Sequence, residues 1–503
     1  MSTQAQLETL KHKLREVSDL SSVGAVLGWD QATYMPDGGG DLRGRQLALI
    51  GRLTHERASS RELGDLLKSL REAAQGKALS EADAALVRVA YRDYERMARL
   101  PSSFVQEVSE HTSKTYMAWT KARPANDWAT MRPLLEKTLE LSKRSAAYYP
   151  EFSHPMDALM DEGEPGCSLT YIKPLFAKLR EETVKLLREV QARPAADVSC
   201  LRGKFPIAQQ VAFGERVIRA YGYDFNRGRQ DTTHHPFCTR FGHGDVRITT
   251  RYRDDDVGDG LFSTLHEAGH AMYEQGVDEA FDAGPLASGV STGVHESQSR
   301  LWENIVGRSR GFWSHYYPEL QREFPSFQDV PMETFYRAIN RVEPSLIRVD
   351  ADELTYNLHV FVRFELETEL HEGKLAIRDL PEAWRAKYRD YLGVASNDDR
   401  DGCLQDVHWY GGLIGGYFQG YTLGNILAAQ FFESAVKAHP AIPTEIARGE
   451  FATLRGWLRE NLHKYGRQYD PPELIRRATG QELSVEPYLR YLRGKFLEPV
   501  SKG

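Results

Sequence analysis

Apolar residues recur at three- and four-residue spacings, with charges between them, over 3–27, 41–75, 80–99 and 102–122. That period predicts amphipathic helices. Ser80 with Asp83 three residues on predicts a capped helix start near 80, and Pro101 predicts its end. The run Asp37-Gly38-Gly39-Gly40 reads as a loop between the first two helices. Further helical patterns fill 168–221 and most of 325–498. The pattern changes before 260. His235-Pro236-Phe237-Cys238-Thr239-Arg240-Phe241 and Asp245-Val246-Arg247-Ile248-Thr249-Thr250-Arg251-Tyr252 are β-branched and aromatic-rich, and Gly242-His243-Gly244 between them suits a hairpin turn. A small antiparallel sheet is expected there, with an edge that could hold an extended peptide by main-chain hydrogen bonds.

The chain then becomes helical again over DDDVGDGLFSTLHEAGHAMYEQG, where Leu261, Leu265, Ala268 and Met272 share one face and Gly276 is placed to end the helix. On it His266 and His270 stand one turn apart and project the same way, as two imidazoles sharing one metal must. Glu267 follows at once, where a carboxylate can take a proton from an attacking water. Downstream, Gly293-Val294-His295-Glu296-Ser297-Gln298-Ser299 opens another helical pattern and offers Glu296 as a third ligand. Two His and one Glu, with a fourth position for water, make a catalytic rather than a structural zinc arrangement. The alternative H-E-x-x-H-x-x-G-x-x-H pattern fails, because position 273 is Tyr.

Composition narrows the classes. With 503 residues the chain can bury a sizeable core, and a net charge of -7 with a pI near 6.2 gives no footprint for nucleic acid. Cys167, Cys200, Cys238 and Cys403 are scattered, form no metal-type pair, and read as reduced thiols of a cytoplasmic protein. The charged N-terminus lacks the apolar stretch of a signal peptide, and Gly503 spoils the peroxisomal address that Ser501-Lys502 would begin. Val407 to Phe432 carries no Asp, Glu, Lys or Arg, yet its six glycines and its His, Gln, Thr and Asn make it a cavity wall rather than a membrane span.

These motifs resemble the M32 family of metallocarboxypeptidases, the carboxypeptidase Taq type, over most of the chain. His235-Pro236-Phe237 is similar to the family's HPF, and Asp245-Val246-Arg247-Ile248-Thr249 to DxRxT. The 266–270 motif and His295-Glu296-Ser297-Gln298 follow, then Ile347-Arg348-Val349-Asp350-Ala351-Asp352 and Gly402-Cys403-Leu404-Gln405-Asp406-Val407-His408-Trp409. Trp29-Asp30-Gln31-Ala32-Thr33 resembles a WDQET-type segment with Ala32 where Glu is usual, and Phe418-Gln419-Gly420-Tyr421 departs from FPTY.

The resemblance implies a single peptidase unit over 1–503, mostly α and bilobed, with a deep groove. Residues 1–150 would form a helical lid, 230–430 would carry the catalytic motifs, and 431–503 would close the fold. It implies release of single residues from peptides with a free C-terminal carboxylate. It also implies a homodimer and no nucleic-acid or membrane partner. One divalent ion per chain is expected, zinc first, with cobalt or manganese also accepted by such a donor set. A terminal carboxylate asks for an arginine fork, with Arg348 the first candidate and Arg247 the second. His408, Tyr417 and Tyr421 are candidate donors to the tetrahedral intermediate. Gln405, Asp406 and Glu303 are candidates for orienting histidines. Two rivals stand beside this reading: a peptidase that cuts internally or removes dipeptides, and a peptide-binding helical protein with an inactive site. The second would show loss of Glu267 or of a ligand, and neither is lost.

Overall fold

In the computed structural model, which describes residues 2–497 apart from Lys77, helices dominate and one three-stranded sheet interrupts them. The C-terminal Ser501-Lys502-Gly503 lies outside the described residues. The first helix, Thr3–Thr33, is longer than its pattern predicted. The 41–75 pattern is two helices, Gly40–Ala58 and Arg61–Gln75, because Ser60 turns extended and its hydroxyl accepts from Leu63 N–H. Glu81–Arg99 starts as expected, with the Ser80 hydroxyl accepting from Asp83 N–H at 3.1 Å. The glycine run is a short 3-10 turn, Asp37–Gly39, leading directly into the next helix.

Apolar packing gathers mainly in two bodies, with two smaller clusters around Val89 and Tyr149. Leu7, Leu10, Leu63, Leu67, Leu70 and Val87 close a small cluster among the N-terminal helices. A far larger core runs from Ala122 to Leu492. Trp302, Trp313, Trp384, Phe312 and Tyr388 are fully buried in it.

The sheet is mixed, which corrects the expectation of an antiparallel one. The hairpin pairs β2 (Phe237–Gly242) with β3 (Asp245–Thr250) as predicted, with an irregularity between Arg240 and Gly242. β1 (Gln230–Thr232) joins the other side of β3 in parallel, giving the order β1-β3-β2. Three residues of β1 carry too little alternation to be seen as a strand in sequence. β2 is therefore an edge, and β2 and β3 both pack on the helix Val257–Gly276 that bears His266 and His270. Among the described residues no helix is long and apolar enough to cross a membrane. The uncharged 407–432 stretch instead supplies a short turn of helix, a glycine-rich loop and the start of the buried helix Gln419–Ala438.

Candidate metal centre and peptide groove

Three elements bring the ligand candidates together. Asp256 caps the Val257–Gly276 helix by accepting from Gly258 and Asp259 N–H, fixing its first turn. Ser291 caps Thr292–Arg300, the helix of Glu296. Gln419–Ala438 packs so closely on the latter that a Cβ at Gly424 would lie 2.5 Å from Glu296 Cγ. As a result one donor atom each from His266, His270 and Glu296 lies within 4.8 Å of the others. Glu296 Oε2 is 3.8 Å from His266 Nε2 and 3.4 Å from His270 Nε2.

The surrounding groups orient those atoms toward one another, with the Ser299 hydroxyl donating to Glu296 Oε2 at 3.2 Å. Arg300 Nε occupies the other oxygen, Oε1, of Glu296 at 2.7 Å. Glu303 Oε2 accepts from His266 Nδ1–H at 2.9 Å, which turns His266 Nε2 toward Glu296 Oε2. Two imidazole nitrogens thus converge on one carboxylate oxygen, the His266 one at 3.8 Å, too far for a hydrogen bond. The donor set therefore fits a divalent metal. His270 stacks on His295 with ring centres 4.5 Å apart, and His295 Nε2 lies 2.9 Å from Glu274 Oε1.

Electrostatics follow from burial and neighbours. Burial, then the nearby His295, lower His270 to about 3, which keeps it a neutral imidazole. Burial alone would raise Glu296, but Arg300 and the two imidazoles outweigh it and hold the carboxylate well below its usual range. Glu303 is likewise drawn against its burial to about 2 by His266 and Arg300. For Glu267 burial, helped by the like charges of Glu296 and Glu303, outweighs the pull of His266 and His295 and raises it to about 7.

The centre stands between two cavities. One of 1150 Å³ is lined by Tyr116, His270, His295, Glu296, His408 and Tyr417. The other, of 900 Å³, is lined by His235, His266, Glu267, Glu303, Arg300 and Arg348. Arg348 is 5 % exposed and pairs with Asp406 rather than with Asp350 or Asp352, the acids nearest it in sequence. Its Nε and Nη2 lie 2.6 and 3.2 Å from the two Asp406 oxygens, and Nη1 donates to Tyr356 Oη at 3.0 Å. One N–H on each terminal nitrogen is left over. Asp406 also takes His408 Nδ1 at 2.5 Å, which turns His408 Nε2 toward Tyr421 Oη, 3.4 Å away. The Tyr417 ring centre is 4.6 Å from that of His408, and Tyr417 is half exposed.

Arg247 stands elsewhere. Its fork is taken by Asp245 at 2.8 and 2.7 Å, and it lies 4.4 Å from the Trp29 ring of the first helix. It lines neither cavity. Its place is under the N-terminal helices. Ala32 also meets the sheet region, its carbonyl accepting from Thr233 hydroxyl at 3.2 Å.

Sequence reasoning missed four groups. Arg300 was visible as the i+4 partner of Glu296. Arg363 is a lone cation in the apolar run YNLHVFVRFELETEL, and it is fully buried, donating to Asp406 Oδ2 and Gln405 Oε1, both at 2.8 Å. Glu367 and Glu164 gave no signal. Glu164 accepts from Thr292 hydroxyl and Gly293 N–H and so anchors the first turn of the Glu296 helix.

The model of the Carboxypeptidase Taq (M32) metallopeptidase family matches residues 9–496. The chain belongs to that family. Among M32 relatives, thermostable carboxypeptidase 1 of Thermus thermophilus is 43% identical over 510 residues, covering 99% of both chains. Carboxypeptidase 1 of Bacillus subtilis is 38% identical, covering 96% of both. The crystal structure of M32 carboxypeptidase from Deinococcus radiodurans R1 superposes with a TM-score of 0.96 at 52% identity, over 98% of this chain and 99% of that one. As an M32 metallopeptidase the protein is a peptide hydrolase.

Proposed function

We propose that this protein releases single amino acids from the free C-terminus of peptides, with His266, His270 and Glu296 holding one divalent ion, zinc by preference. The observation that carries this reading is the pairing, in one cavity, of the Glu267 carboxylate with the unsatisfied end of the Arg348 fork. When bound, the ion supplies Lewis-acid polarisation of the scissile carbonyl and of a water.

The chain's own groups do the rest. Arg348 offers its two remaining N–H to the terminal carboxylate and thereby sets where the chain ends relative to the ligands. Glu267 takes the proton of the attacking water and returns it to the leaving nitrogen. Tyr421, and His408 as an imidazolium paired with Asp406, donate to the carbonyl oxygen as its negative charge grows, with Tyr417 at the cavity mouth beside them. The edge of β2 pairs with the peptide main chain, and the helices of 1–150 act as a lid over the groove. The four unpaired cysteines favour a reducing compartment, the cytoplasm, and the family likeness favours a homodimer.

The test is mass spectrometry of N-blocked peptides with free-acid or amidated C-termini. Stepwise loss of single residues from the free acid only supports the reading. Equal cleavage of the amide, or internal fragments, rejects the carboxylate clamp and leaves an endopeptidase.

A further inference from the structure

The helix of Glu296 does not continue regularly. After Arg300 it passes into a π turn, Leu301–Val306, with Gly307 N–H bonding back to Trp302 O at 3.0 Å. Such a turn carries one more residue than an α turn and re-aims the side chains on it. Here the side chain it aims is Glu303, on His266 Nδ1. π turns are rare, occur mostly as single turns inside α-helices and are frequent at functional sites.

What holds this one comes from the far end of the chain. The carbonyl of Asn304 falls in the last turn, where helical N–H donors run out. It accepts instead from Tyr491 hydroxyl at 3.2 Å and from Lys495 ammonium at 3.4 Å, both on the helix Glu486–Leu497. The two donors are themselves fixed by Glu353, whose oxygens lie 2.6 Å from Tyr491 Oη and 2.6 Å from Lys495 Nζ. The Lys495 and Glu353 side chains are 5 % and 8 % exposed. A buried ion pair adds little stability over an apolar pair of the same shape, so its presence here calls for another reason.

We propose that Lys495, Tyr491 and Glu353 are positioning residues for the metal centre: they clamp the π turn at Asn304 and thereby hold the Glu303 carboxylate on His266. The C-terminal helix is then a determinant of metal affinity although none of its residues reaches the groove's ligands. This rests on the metal reading above.

The experiment uses the full-length protein, stripped of metal, and measures zinc and cobalt dissociation constants against a chromophoric chelator. It adds the visible absorption of the cobalt form and the melting temperature of the metal-free form. Lys495→Met/Glu353→Gln removes the pair without leaving a lone buried charge, and Tyr491→Phe removes one hydroxyl. Both should bind zinc about 10-fold more weakly, the lower bound for loss of a group that orients a ligand, and should shift the cobalt spectrum. Added to Glu303→Gln, neither should weaken binding further, because the clamp acts through Glu303. Additive losses, or unchanged zinc affinity in Tyr491→Phe, overturn the proposal even if the double variant fails to fold. If His266→Ala binds zinc as wild type does, the metal reading itself falls and takes the clamp with it.

Discussion

Arg348 and Asp406 form a side-on pair, with Nε and Nη2 of the guanidinium 2.6 and 3.2 Å from the two carboxylate oxygens. Asp406 thus orients the proposed carboxylate clamp and, through His408 Nδ1, a proposed oxyanion donor. Arg348→Lys keeps the charge and loses the fork. Its kcat/KM on free-acid peptides should fall on the order of 100-fold, chiefly through KM. Asp406→Asn should lower kcat as well, because His408 loses its partner, and should destabilise the fold by about 3–5 kcal/mol by leaving Arg348 and Arg363 uncompensated. Steady-state kinetics and chemical denaturation of the two variants check both.

Glu303 gives the second prediction. Glu303→Gln keeps the shape but weakens the hold on His266 Nδ1, and zinc should bind about 10- to 100-fold more weakly. Chelator competition reads this directly.

Gly424 gives the third. A methyl there would fall 2.5 and 2.6 Å from Glu296 Cγ and Cβ, with no space to move into. Gly424→Ala should cost about 1–3 kcal/mol in unfolding free energy and should weaken zinc binding by displacing a ligand.

Glu367 gives a pH dependence. Burial raises its carboxyl from the ordinary 4.5 to about 7, against hydrogen bonds from Trp409 Nε1–H at 2.6 Å and Gly415 N–H at 3.1 Å. The folded state therefore keeps a proton that the unfolded chain gives up. The stability tied to that proton is fully present below about pH 4.5 and is lost as pH rises through 7, an effect on the order of 3 kcal/mol. Glu367→Gln cannot ionise, so its unfolding free energy relative to wild type should rise between pH 5 and pH 8. A constant difference across that range contradicts the assignment.

How much of this was legible in the sequence depended on the range of the interaction. The helix period, the Ser80 cap, the hairpin and the i, i+4 histidines are local, and the chain displayed them. The break at Ser59-Ser60 was local too, but two serines inside an amphipathic pattern look like surface positions. β1 was invisible because three residues show no period. The partner of Arg348 could not be read at all: Asp350 and Asp352 lie within four residues of it, and only the fold brings Asp406 across 58 positions. Glu303 could be named as a histidine-orienting candidate from its place beside Glu296, but not which histidine, since His266 lies 37 residues away.

The most direct test of the central claim is a metal titration of the stripped protein, with activity followed alongside binding. Wild type should recover peptide release in proportion to zinc bound and reach its plateau at one ion per chain. Glu267→Gln should bind the same single ion and release no amino acid. Turnover by that variant, or full wild-type activity without metal, would contradict the account.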